Sequence, residues 1–232
     1  MKGILFGLGV GPGDPELLTL KAVRVMAECS VIAYPAPENG ISFARKIASE
    51  YISDDKTEII IRTPMIAGSF PANAVYDKYA NRIQKHLREG RDVAVLCEGD
   101  PFFYGSFSYI YCRLAGKFPT KVIPGVSSLG TCAAVAGRPL ALRNNVLSIV
   151  PATLEFDELL EKIDHADSIA VIKVGKHLDK VRNILNKLGL VEWSYYVEHA
   201  SMENQRVLPL DQTYMTIAPY FSMVLVQKSG EY

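Results

Sequence analysis

Three short stretches set chemistry-bearing side chains among glycine and proline: "GLGVGPGDP" (7–15), "CEGDPFFYGS" (97–106) and "IPGVSS" (123–128). In the second, one glycine separates Glu98 from Asp100, and Pro101, Phe102, Phe103 and Tyr104 follow. A carboxylate there could accept hydrogen bonds from a ligand amine or hydroxyl. Pro101 biases Asp100 to an extended backbone, which can turn its carbonyl and neighbouring amides toward a cleft. The stretch also reads as a helix start, with Asp100 as N-cap and Pro101 in first position. Capping has no use for Glu98, which weighs toward a ligand. In "GLGVGPGDP" the glycines would let backbone and ligand approach closely. A sharp strand-to-helix turn capped by Asp14 explains it equally well. In the third stretch Ser127 or Ser128 can cap a helix whose free amides suit an anionic group such as a carboxylate.

Several chemistries are excluded. The dinucleotide fingerprint G-x-G-x-x-G fails, because Pro12 stands three residues after Gly9 and Asp14 three after Gly11. Pro12 also lacks the amide proton a phosphate-cradling loop offers. A P-loop fails too, since "GK" occurs only in "GKF" and "GKH". His86, His165, His177 and His199 are isolated, so no metal site is expected. There is no G-x-S-x-G elbow for acyl chemistry. The balance of 25 basic and 25 acidic residues argues against a protein built to hold nucleic acid. The stripe Lys78, Arg82, Lys85 reads as a solvated helix face.

The elements that must position these stretches follow from hydrophobic period. Apolar runs "GILFGLG" (3–9), "SVIAYP" (30–35), "TEIIIRT" (57–63), "RDVAVLC" (91–97) and "TKVIPG" (120–125) read as strands. Between them lie amphipathic stretches. "PELLTLKAVRVMAEC" predicts one helix with Leu18, Ala22, Val25, Met26 and Cys29 on its inner face. "ISFARKIASEY" and "NAVYDKYANRIQKHLREG" predict two more, and a helix from about Ser106 to Leu114 follows. Repeated strand–helix–strand units imply a mostly parallel sheet covered on both faces. A second set follows: strands "VLSIVPA", "SIAVIKVG", "EWSYYVEHAS" and "SMVLVQK", with helices "FDELLEKI" and "HLDKVRNILNKLG". The chain thus reads as two α/β domains, 1–124 and 125–232. Ligands in open α/β sheets sit beyond the carboxyl ends of the strands, where all three stretches fall.

No window reaches the roughly 18 apolar residues of a membrane span. Glycines break up the N-terminal "MKGILFGLGVGPGDP", which does not read as a signal peptide. Cys29, Cys97, Cys112 and Cys132 are scattered, the pattern of reduced, buried thiols in a cytoplasmic protein.

Taken together, "GVGPGDPELLTLKA", "CEGDPFFYGSF" and "IPGVSS" resemble the three signature motifs of the tetrapyrrole methylase family, and the likeness spans essentially the whole chain. In detail it resembles the precorrin-2 C(20)-methyltransferase branch, on "VIKVGKHLDKVRNIL", "YVEHAS" and "YFSMVLV" and on Glu98, where other branches tend to carry glycine. The resemblance implies two α/β domains with mostly parallel or mixed sheets and S-adenosylmethionine in the cleft between them, leaving as S-adenosylhomocysteine. It implies methylation at carbon 20 of precorrin-2 or cobalt-factor II in cobalamin biosynthesis. The alternative is a different ring carbon of a related tetrapyrrole. A homodimer is implied, with no nucleic-acid or membrane partner. The family's donor contacts fall on Pro12, Gly99, Asp100, Phe103, Ser127 and Ser128. In the second domain they fall on Val174, Ala200 and Pro219. If a proton-transfer group is used, Glu98 and Tyr104 are the candidates. Arg138, Arg143 and Lys173 are the expected partners of the substrate's carboxylates.

Overall fold

A computed structural model of the protein describes residues 1–63 and 72–228. The chain divides into two compact units, Met1–Ser127 and Ser128–Tyr232, so the division falls between two serines rather than at 124/125.

The first unit holds β1 (Leu5–Gly9), β2 (Val31–Pro37), β3 (Thr57–Thr63), β4 (Val93–Cys97) and β5 (Thr120–Ile123). They form one all-parallel sheet in the order β3-β2-β4-β1-β5. The helices are α1 (Leu20–Glu28), α2 (Phe43–Ile47), α3 (Ala72–Arg88) and α4 (Phe107–Leu114). Alternate strand residues face opposite ways, and two cores result. Leu5, Val31, Ala33, Val93, Val95 and Cys97 pack with α3 and α4. Phe6, Leu8, Ile32, Ala94 and Leu96 pack with α1 and α2. The chain therefore leaves β1 toward β2 on one side and leaves β4 toward β5 on the other. Two adjacent parallel strands whose connections diverge mark the switch point of an open sheet.

The helix expected over 15–29 is broken. Pro15–Leu17 form a single 3₁₀ turn that Asp14 caps through the Glu16 amide, at 2.8 Å. Leu18 then goes extended to bury its side chain, and the Thr19 hydroxyl starts α1 by accepting from the Ala22 amide at 3.1 Å. The expected inner face survives the break, with all five of its apolar residues buried.

The second unit holds α5 (Ser128–Ala136), β6 (Leu147–Pro151), α6 (Phe156–Asp164), β7 (Ser168–Ile172), α7 (Leu178–Lys187), β8 (Ser194–Glu198), β9 (Arg206–Pro209) and β10 (Ser222–Gln227). Its sheet is mixed, in the order β6-β7-β10-β8-β9, with only β6 and β7 parallel. α6 and α7 cover one face, and α5 packs Cys132 and Ala133 on the other. No helix among the described residues is long and apolar enough to cross a membrane. Burial pushes the thiols of Cys29 and Cys132 up to about 12, and that of Cys97 to about 11. Cys112 departs from the expected pattern and is exposed.

Candidate functional site

The three chemistry-bearing stretches leave β1, β4 and β5, which are neighbours in the sheet, and backbone bonds join them directly. The Val10 amide donates to the Cys97 carbonyl at 2.9 Å. Gly11 and Gly99 then form an antiparallel bridge just beyond the parallel strands, with the Gly99 amide 2.8 Å from the Gly11 carbonyl. Both glycines have positive φ, +79° and +63°, which reverses the chain there without a Cβ penalty. Gly125 sits so close that a Cβ on it would lie 2.1 Å from the Gly99 carbonyl oxygen.

Asp100 completes the knot. Its Oδ1 accepts from the amides of Phe102 and Phe103 at 2.9 and 3.2 Å, and its Oδ2 accepts from the Gly125 amide at 3.1 Å. α4 starts only at Phe107, so Asp100 and Pro101 do not open a helix as a simple capping reading would have it. The carboxylate instead organises a tight turn and ties it to the β5 exit. Pro12 is buried within the first bend, and Ser127 and Ser128 follow the third, Ser128 opening α5.

Glu98 points elsewhere. Its Oε1 accepts the Ala44 amide at the start of α2 at 3.2 Å, and desolvation raises its carboxyl above the usual range against the pull of backbone hydrogen bonds. Tyr104 has φ +54° and is 55% exposed, its ring edge-on to Phe103 at 5.3 Å between centroids. A bulky residue held in the left-handed region is strained, and such strain concentrates at functional turns.

In the second unit, Val174, Ala200 and Pro219 gather at one end of the mixed sheet. The Ala218 amide donates to the Gly175 carbonyl and the His199 amide to the Phe221 carbonyl, both at 2.9 Å. Val174 and Ala200 are buried. Lys173, His199 and Ser201 all have positive φ, at +56°, +51° and +65°. The last two were not legible in advance, because nothing in "EHAS" marks a non-glycine left-handed bend. Lys173 lies exposed at the carboxyl end of β7. Arg138 and Arg143 do not join it. Arg138 lies over the Tyr195 ring, 4.4 Å from its centroid, and bonds the Tyr195 hydroxyl near the start of β8. Arg143 occupies an exposed turn leading into β6. The expected trio of carboxylate partners is therefore split between opposite ends of the sheet. Among the described residues, no group of three or more His, Cys, Asp or Glu could hold a metal.

The family sequence model for Tetrapyrrole (Corrin/Porphyrin) Methylases matches residues 5–213. A precorrin-2 C(20)-methyltransferase from a Sinorhizobium species is 37% identical over 97% of this chain and 95% of its own. Cobalamin biosynthesis protein CobIJ of Mycobacterium tuberculosis is 41% identical over 97% of this chain, which spans only 46% of that relative's length. Among solved structures, a cobalt precorrin-4 methyltransferase superposes with a TM-score of 0.76 at 21% identity, covering 97% of this chain and 94% of its own. A uroporphyrin-III C-methyl transferase from Thermus thermophilus, solved with S-adenyl homocysteine, gives 0.71 at 22%, covering 97% and 98%. With a family match over nearly its whole length and a relative 37% identical from end to end, the chain belongs to the tetrapyrrole (corrin/porphyrin) methylases.

Proposed function

We propose that this protein is an S-adenosylmethionine-dependent C-methyltransferase that methylates carbon 20 of precorrin-2 or cobalt-factor II in cobalamin biosynthesis. The structural observation that carries the reading is the knot at the β1/β4 switch point, where Gly11, Gly99, Asp100 and Gly125 lock three bends into one rim. The named relative similar over nearly its full length supplies the reaction class. The residues fit the donor: the rim offers carbonyls and amides on a backbone too tightly packed for side chains at Gly9 or Gly125. Pro12, Gly99, Asp100, Phe103 and Ser127 of the first unit would hold it, with Ser128 at the head of α5. Val174, Ala200 and Pro219 are the matching positions in the second.

When bound, S-adenosylmethionine supplies a methyl already activated on a sulfonium. The chain's main contribution is then alignment, an effect that can supply roughly 7–11 kcal/mol. Carbonyls fixed in the rim would stabilise partial positive charge on the transferred methyl without reorganising. The carbon that gains a methyl must lose a proton, and Glu98 and Tyr104 are the candidates to take it. Glu98 has its Oε1 tied to Ala44, so Oε2 is the atom that would carry it. The Tyr104 hydroxyl, on an exposed residue, is the other. Lys173, at the same sheet end as Val174, would pair with a substrate carboxylate, whereas Arg138 and Arg143 lie away from that end. The same reading has the protein act in the cytoplasm as a homodimer of two-domain subunits.

The test is incubation with reduced tetrapyrrole and methyl-labelled donor, followed by mass spectrometry and NMR of the product. Label at carbon 20 is expected. Label at carbon 11 or 17 would move the protein to another ring-methylating branch. Calorimetry should show binding of S-adenosylhomocysteine and none of NAD, and failure of the first ligand would remove the methyltransferase reading.

A further inference from the structure

Between the 3₁₀ turn Leu210–Gln212 and β10, residues 213–221 run without strand or helix, and they carry the Ala218–Phe221 stretch to the second unit's rim. One side chain from α7 pins the start of this segment. Arg182 Nη2 donates to the carbonyls of Thr213 and Met215 at 2.7 and 2.8 Å. Its Nη1 pairs with Asp179 at 2.7 Å, and its side chain is 20% exposed. The far end of the segment is pinned by backbone, through Ala218 to Gly175 and Phe221 to His199. Between the pins, Tyr214, Ile217 and Tyr220 face water at 89%, 66% and 73% exposure, while Met215 and Ala218 pack against the core that α6 and α7 cover. Packing holds those two side chains, and a guanidinium fork bridging two carbonyls fixes the main chain, because its planar donors hold both at a set separation.

We propose that Arg182 is a positioning residue: by clamping Thr213 and Met215 it fixes the Ala218–Phe221 stretch against Gly175 and His199, and so sets the affinity for the S-adenosyl ligand without touching it. The proposal rests on the reading of that rim as a donor-binding surface. A segment already held in its bound path avoids an ordering cost on binding.

The experiment compares the full chain with Arg182→Gln, Arg182→Lys, Asp179→Asn and Ile184→Val. S-adenosylhomocysteine affinity is read by calorimetry, and amide hydrogen exchange at Ala218 and His199 is read without ligand. Arg182→Gln should weaken the ligand at least tenfold and speed exchange at both amides. Arg182→Lys, which can still reach a carbonyl, should recover part of each effect. Asp179→Asn breaks only the half-exposed ion pair and should change affinity less than threefold. Ile184→Val trims the buried core face of the same helix and should likewise leave affinity within threefold. Unchanged exchange at Ala218 and His199 in Arg182→Gln overturns the proposal. So does a loss of affinity in Ile184→Val that matches it, which would make the effect one of general stability. Wild-type protein that fails to bind the ligand would instead overturn the functional reading, while the exchange data would still decide whether Arg182 holds the stretch.

Discussion

Asp100 shows how much one side chain can organise. Three amides from two separate bends converge on its carboxylate, and charge-assisted bonds of this kind are the stronger ones. Asp100→Asn turns an amide donor toward at least one of those N–H groups and should cost about 1–3 kcal/mol in urea unfolding. It should also weaken S-adenosylhomocysteine. Loss of affinity with unchanged stability would mean that the carboxylate meets the ligand directly. Gly125→Ala forces a methyl against the Gly99 carbonyl and should cost about 1–3 kcal/mol by the same measurement. Glu98 behaves differently. Desolvation holds its carboxyl above the usual 4.5, so the native state binds the proton more tightly than the unfolded chain does. Stability therefore falls as pH rises from 4.5 through the native value, and the penalty is fully present above it. Glu98→Gln keeps an acceptor for Ala44 without the charge. Its stability profile should be flatter above pH 4.5, while turnover falls by about 10²-fold if Glu98 handles the proton. Full turnover in Glu98→Gln would leave the carboxyl a purely local role.

Elements were legible where period alone decides them, and less so where a local contact does. The five strands of the first sheet follow from short apolar runs, and the inner face of α1 from steps of three and four. The break before α1 does not, because it depends on the Thr19 hydroxyl reaching the Ala22 amide. Thr19→Ala should cost about 1 kcal/mol in thermal or urea unfolding. Gly130 of α5 offers the opposite case: a Cβ there meets nothing within 4 Å, and its φ is ordinary. Gly130→Ala should add about 0.5–1 kcal/mol. β9 escaped the sequence reading, since "RVLP" is a short edge strand whose first residue is charged. Its place is set by tertiary contact, through Arg206 pairing at 3.0 Å with the buried Glu198 of β8. The site was legible as three motifs at strand ends, but the role of Asp100 was not. Capping and knot-tying use the same side chain, and only the distance to Gly125, twenty-five residues away, separates them.

At the scale of the whole molecule, acid response should follow its histidines. Burial lowers His86 and His177 below their usual 6.5, helped by Arg91 in one case and by Lys180 and Lys176 in the other. The native state therefore favours their neutral forms. Their contribution is present above pH 6.5 and is lost as pH falls toward the native values. In a Glu98→Gln background, where the opposing carboxyl effect is gone, the melting temperature should drop between pH 7 and 5.5. Adding His86→Gln should reduce that drop, and an unchanged slope would show that His86 does not drive it. The arrangement of β1 and β4 has a broader consequence. In a dinucleotide-binding sheet the gap between diverging strands is an open wedge that a pyrophosphate enters. Here the antiparallel Gly11–Gly99 bridge bolts that wedge at its mouth. On the proposed reading, a donor at this end of the sheet would lie across a lintel of main chain, which would favour a folded guest resting on top over an extended one threading in.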